Sequence, residues 1–210
     1  ANALDFGNLV EARRHACAIS GGARGIASAG FASPAFTATQ EYFTLATTSN
    51  AISYGNRTEA LYDIGSGSDG SRGVVFGGEG PESVTIDYVS IYQLGDAIDF
   101  GDMFLEGRMN SGTQHGSRGY RSGGDVNDTQ YDGIEMFEIG TFANAIDYGE
   151  LTQARYYAAG TSDGIRNVIV SGTDAGLNTM DYYNSFALTN AVDFGNLTTP
   201  PGRCGATAGS

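Results

Sequence analysis

The sequence predicts an all-β protein, a β-propeller of four-stranded antiparallel blades. An eight-residue phrase returns five times, as NALDFGNL from Asn2, NAISYGNR from Asn50, DAIDFGDM from Asp96, NAIDYGEL from Asn144 and NAVDFGNL from Asn190, so its spacing alternates 48, 46, 48 and 46 residues. A fixed period of that size, filled with short strand-like pieces, signals a solenoid, a propeller or an array. Each unit holds four strand candidates, which is the content of a blade. No window shows the three- and four-residue apolar spacing that a helical repeat requires.

The recurring phrase is read as strand D, with its aromatic at Phe6, Tyr54, Phe100, Tyr148 and Phe194, each followed by Gly. Strand A follows as HACAIS from His15, LYDIGS from Leu61, MNSGTQ from Met109, YAAGTS from Tyr157 and RCGATA from Arg203. Its small side chains suit an innermost strand, where neighbours crowd around an axis. A Gly-rich turn (SGGARG, SDGSRG, QHGSRG, SDGIRN) then reverses the chain, a hairpin signal. Strand B starts at Arg24, Arg72, Arg118 and Arg166 and ends six residues later at Gly30, Gly78, Gly124 and Gly172. Strand C (QEYFTL, IDYVSI, IEMFEI, MDYYNS) is apolar on both alternating faces, as in a strand packed on both sides.

Five D and five A candidates stand against four B and four C, which predicts at least four blades with partial strands at both ends. Residues 1–210 read as a single propeller, with repeats near 2–49, 50–95, 96–143 and 144–189 and a partial one at 190–210. The expectation is that they are a segment of a longer chain.

The order Arg, strand, Gly-turn, strand, Gly-Gly (Gly77-Gly78, Gly123-Gly124), Tyr, aromatic resembles kelch repeats of the β-propeller class. It departs from them where Phe or Tyr stands for the usual Trp, and where Gly-Gly becomes Ala29-Gly30 and Ser171-Gly172. LATTSNAISYGN and the other NA-x-D-[FY]-G phrases resemble repeat proteins of marine tailed phages, particularly cyanophages. That resemblance implies a virion structural or fibre-associated protein whose partners are other virion proteins or a host-surface glycan or protein, with homo-oligomerisation in a fibre. It implies location in the extracellular particle. The alternative is a secreted or cell-surface interaction module of the same fold, where the sequons at Asn56, Asn127 and Asn196 would count.

Composition narrows the partners. The net charge of −13 argues against nucleic acid and anionic membrane, both of which need a basic footprint. All 11 basic residues are Arg, and the acidic, Lys-free balance suits a saline setting where repulsion is screened. No run of 18 apolar residues offers membrane insertion. Cys17 and Cys204 are too few for a disulfide framework and read as buried free thiols.

No enzyme chemistry is expected. The DFG copies lack a catalytic-loop HRD and any Lys, so they read as packing. Gly77 to Gly80 imitates a phosphate cradle without its Lys or helix. His15 and His115 lie in different repeats and do not suggest a metal centre, and no cofactor is indicated. The four strand-B arginines are expected to bond carbonyls of the C–D turn in their own blade, near Thr47 to Asn50, or the Asn or Asp that opens strand D. The acids Glu41, Asp87, Glu135 and Asp181 are expected to accept N–H groups of their own B–C loops rather than hold a cation.

Length variation between repeats lies wholly in the B–C loop, 11 residues from Gly to acid in the first and third repeats and 9 in the second and fourth. Rigid scaffolds carry recognition on such loops. Candidate binding residues are therefore Phe31, Phe36, Glu79, Glu82, Asp125, Asn127, Tyr131, Asp174 and Asn178. Phe31, Phe36 and Tyr131 offer the aromatic surface that a sugar or protein would use.

Overall fold

The computed structural model describes residues 2–80, 84–173 and 176–200. Among them the chain forms 16 strands in four separate four-stranded antiparallel sheets, with no helix. The first blade comprises β1 (Cys17–Gly21), β2 (Arg24–Ala32), β3 (Ala35–Thr44) and β4 (Ile52–Asn56). The second is β5 (Gly65–Ser68), β6 (Arg72–Phe76), β7 (Thr85–Ser90) and β8 (Ile98–Asp102). The third is β9 (Ser111–His115), β10 (Arg118–Val126), β11 (Thr129–Glu138) and β12 (Ile146–Glu150). The fourth is β13 (Ala159–Ser162), β14 (Arg166–Val170), β15 (Thr179–Asn184) and β16 (Val192–Asn196). Strands run A–B–C–D in order across each sheet, the arrangement of propeller blades. β1, β5, β9 and β13 are innermost and pack in sequence, but β13 makes no comparable contact with β1, so the blades do not close.

The repeat alternation has a structural source. In the first and third blades the two extra residues extend the B–C hairpin, so β2 and β10 have 9 residues where β6 and β14 have 5. Both long hairpins carry a bulge, at Ser28/Gly30 and Ser122/Gly124. The bulge turns the strand-B N–H outward to the next blade, so that Gly30 and Gly124 donate to the carbonyls of Leu61 and Arg155, and Gly78, just past the end of β6, does the same to Gly107.

The core lies between blades. One cluster joins Ile19, Ile26 and Tyr54 of the first blade to Val89, Ile91 and Ala97 of the second. Another joins Val74, Phe76 and Phe100 to Phe137, Ile139 and Ala145, and a third joins Tyr120 and Tyr148 to Ile169 and Tyr183. Strand-D aromatics Tyr54, Phe100 and Tyr148 are buried at 4%, 3% and 2% exposure because the next blade covers them. Phe194 has no following blade among the described residues and is 48% exposed. The first phrase departs from expectation: residues 2–9 form no strand, and Phe6 is 39% exposed with its ring edge against Phe43. The last strand-A candidate, with Cys204, lies outside the described residues, while Cys17 is a free thiol.

The phrase itself is an inter-blade clasp. The side-chain oxygens of Asn50, Asp96, Asn144 and Asn190 accept the N–H groups of Asn8, Asn56, Asp102 and Glu150 at 3.0, 2.9, 3.1 and 3.2 Å. The next residues, Ala51, Ala97, Ala145 and Ala191, donate their N–H groups to the backbone carbonyls of Asn8, Asn56, Asp102 and Glu150. Gly7, Gly55, Gly101 and Gly149 let the neighbouring turn carbonyl approach closer than any Cβ would allow. Residues 2–9 thus grip the first blade as strand D of a blade would, without a sheet of their own.

The strand-B arginines also act between blades, which corrects the expectation that they serve their own turn. Arg24 Nη1 donates to Ile91 O at 2.8 Å, Arg72 Nη1 to Gly140 O at 2.7 Å and Arg118 Nη1 to Ser185 O at 2.9 Å, each in the following blade. The twist between blades brings the next C–D turn over the start of strand B. Arg166 faces no next blade among the described residues, is exposed and bonds Asp163.

Phe100→Ala is expected to cost about 3–5 kcal/mol, the usual cost of removing a buried aromatic. Phe194→Ala should cost about 0.5 kcal/mol or less, as at exposed sites. Equal shifts in the urea midpoint would refute burial by the next blade. A second outcome concerns alkali. Burial raises the phenol pKa of Tyr54, Tyr120, Tyr148 and Tyr183 above its ordinary value. A raised folded pKa keeps its full stabilisation below the unfolded value near 10 and loses it as pH climbs toward the folded one. Unfolding free energy should therefore fall above about pH 10, with phenolate absorbance rising late in the folded chain and normally in denaturant. Coincident titrations would contradict this.

Candidate binding face

The four recurring acids are buried, at 2% exposure or less. They do not serve their own B–C loops, as expected from sequence, but clamp the D–A connection entering their blade. Glu41 accepts from Val10 and Glu11 N–H, and Glu135 from Phe104 N–H. The shorter Asp87 and Asp181 reach Thr58 and Thr152 instead, where the Thr hydroxyl bonds them at 2.6 and 2.7 Å alongside the N–H. Each acid also meets a buried guanidinium: Glu41 with Arg13, Asp87 with Arg57, Glu135 with Arg121 and Asp181 with Arg155.

Those four arginines escaped sequence reasoning because they arrive from different places. Arg13 and Arg155 sit at one position of the D–A connection, Arg57 at the exit of strand D and Arg121 in strand B. Gly107 stands where Arg13 and Arg155 stand in their repeats, and a Cβ there would strike Arg121 Nη2. The missing side chain makes room for the substitute. Burial lowers the Arg121 pKa and raises that of Glu135, each against the pull of the other. Among the described residues no group of three or more His, Cys, Asp or Glu is arranged to hold a metal ion.

The face that carries the D–A and B–C connections is different in kind. In the first three repeats one linker residue bridges to the residue just after Gly30, Gly78 or Gly124: Arg14 to Phe31, Tyr62 to Glu79 and Arg108 to Asp125. Tyr156 completes the set by accepting the Thr173 N–H. The backbone repeats, while the side chains do not. Arg14 lies over the Phe31 ring at 4.6 Å, and Arg108 pairs with Glu79, Asp125 and Asp128.

Three of the sequence candidates, Glu79, Asp125 and Asn127, line one groove of about 230 Å³ around Arg108, between the second and third blades. Phe31 and Phe36 meet edge to face, and Phe36 stacks on Tyr62 at 4.6 Å, the ring the candidate set omitted. Burial and its bond to Glu79 push the Tyr62 phenol up to about 12. Tyr131 stands apart: its ring lies 5.5 Å from the Arg121 guanidinium and covers Gly133. Asn178 is exposed on the fourth blade, where its carbonyl accepts the Leu197 N–H. Glu82 and Asp174 lie outside the described residues.

Arg155→Leu is expected to cost about 3–5 kcal/mol, because it strands the buried Asp181 carboxylate. The double variant Arg155→Leu/Asp181→Leu should recover part of that loss in denaturant melts. Strict additivity of the two single changes would show that the pair is not coupled. The chain matches no protein-family model and no curated protein.

Proposed function

We propose that the chain is a non-enzymatic binding propeller of a virus particle, tail-, fibre- or capsid-associated, whose B–C and D–A face contacts a host surface or an assembly partner. One observation carries the binding role. The opposite face uses its turns to hold the next blade, through Arg24, Arg72 and Arg118, whereas this face places different chemistry at each repeat of the same backbone. A recognition surface needs distinct groups at distinct places, and packing does not. The virion setting is supported by the resemblance of the NA-x-D-[FY]-G phrases and by the acidic, Lys-free composition. The secreted or cell-surface module is the second reading, favoured by the exposure of all three sequon asparagines, Asn56, Asn127 and Asn196.

The test is adsorption of the fluorescently labelled chain to intact marine bacterial cells. Combined Phe36→Ala, Tyr62→Ala and Arg108→Ala changes should weaken adsorption about tenfold or more, as loss of several interface anchors does. Leu94→Ser and Phe186→Ser, at exposed positions of the C–D turns, should leave it unchanged. The reverse pattern would place recognition on the other face.

A further inference from the structure

Inside the ring of linker bridges lies a second, tighter ring at the axis. His15, Asp63, Met109 and Tyr157 occupy the same position in successive repeats, just before strand A, and share φ values of 56°, 54°, 57° and 55°. Their backbones form a relay in which Asp63 N–H donates to His15 O, Met109 N–H to Asp63 O and Tyr157 N–H to Met109 O, at 3.2, 2.8 and 3.0 Å. The left-handed region favours Gly or Asn, and a side chain there is uncommon. This chain has 32 glycines, yet none stands at these four positions. Backbone strain retained in favour of four different side chains points to a use for those side chains.

Their chemistry converges. His15 Nδ1 is 2.5 Å from Asp63 Oδ1, and Tyr157 Oη lies 3.5 Å from Asp63 Oδ2. The carboxylate, 5% exposed in its side chain, therefore orients an imidazole and a phenol around one small cavity of about 170 Å³. Ala16, Ile64 and Ala158 line it with Met109, and Tyr62 sets its ring edge on to His15 at 5.8 Å. With Nδ1 turned to the carboxylate, Nε2 is the imidazole atom left for a ligand.

We propose that this axial cavity binds one neutral monosaccharide unit, the end of a glycan that lies across the surrounding face. A sugar ring has apolar C–H groups for Tyr157, Met109 and the His15 ring. Its hydroxyls both donate and accept, which suits a site holding an imidazole nitrogen, a phenol and a carboxylate. An anionic sugar is disfavoured, because Asp63 is the one acid lining the cavity and no Arg lines it, while the groove around Arg108, next in the chain to Met109, carries Glu79, Glu106, Asp125 and Asp128. The inference rests on the binding-face reading and names the ligand class for its centre.

The test uses the full 210-residue chain. Methyl glycosides of glucose, galactose, mannose and N-acetylglucosamine are titrated by saturation-transfer NMR, with N-acetylneuraminic acid as the anionic comparison. At least one neutral glycoside should bind saturably and shift the His15 ring C–H signals, and His15→Ala and Asp63→Asn should each weaken it about tenfold, the weight of one hydrogen bond to a charged group. Leu94→Ser, on the opposite face, should leave that affinity unchanged. Should either axial variant fold poorly, the His15 signals of the unaltered chain decide the matter. Binding lost in Phe36→Ala but kept in the axial variants would overturn the axial site and leave the binding face standing. Tighter binding of the anionic sugar, or no neutral glycoside bound up to its solubility, would overturn the ligand class. In the latter case the cell-adsorption result still judges the face.

Discussion

The structure depends on contact between consecutive blades rather than on any one sheet. A four-stranded sheet of this size has two faces to cover and no helix to cover them. The solution is serial: Tyr54, Phe100 and Tyr148 project from an edge strand onto the next blade, and Asn or Asp at the start of the next strand D holds the exit of the previous one. Each contact is modest, with a net hydrogen bond worth about 1 kcal/mol, but the same set recurs at every junction. The asymmetry of the ends follows. Leu45 is 46% exposed, while Ile91, Ile139 and Ser185, at the same position of later repeats, are fully buried against a preceding blade.

Buried charge is the other constant. Every blade keeps a carboxylate paired with a guanidinium, although desolvating both ions offsets much of their attraction. The carboxylate also satisfies N–H groups of a connection that runs without strand partners, so an apolar pair of the same volume could not replace it. This explains how the arginine wanders. Any position from which a guanidinium reaches the carboxylate will serve: Gly107 leaves the vacated site open for Arg121, and in the second blade Leu61 fills it with apolar bulk while Arg57 reaches Asp87.

Blade content and strand order were legible in the sequence because they repeat: turn glycines, the strand-D aromatic and the strand-B Arg recur at constant offsets. What one repeat cannot display is the neighbour it meets. The partner of Arg24 therefore reads from sequence as Thr47 to Asn50 of its own repeat, whereas it is Ile91 across a junction; the partner of Glu41 is in its own repeat, but in the D–A connection rather than the B–C loop. The candidate face was legible only in part. Loop-length variation drew attention to Phe31, Glu79 and Asp125, but the linker residues opposite them, Arg14, Tyr62 and Arg108, vary in chemistry without varying in length. A column comparison of the repeats contains that signal, at Arg14-His15, Tyr62-Asp63, Arg108-Met109 and Tyr156-Tyr157.

Repeat architecture makes such columns informative in a way that an ordinary fold does not. Equivalent positions share one backbone conformation, so a structural demand on the side chain should give the same answer each time. It does at the strand-D aromatic and at the buried acid. At the axis the backbone demand is uniform and costs about 1–2 kcal/mol per non-Gly residue, yet the answers are His15, Asp63, Met109 and Tyr157. The residue before the Gly that ends strand B shows the contrasting behaviour: with φ again between 53° and 63°, it is Ala29, Gly77, Gly123 or Ser171, small residues throughout. There a tight fit sets the residue. At the axis, large and reactive side chains stand on the same strained backbone, and what they share is an open cavity rather than a packing partner.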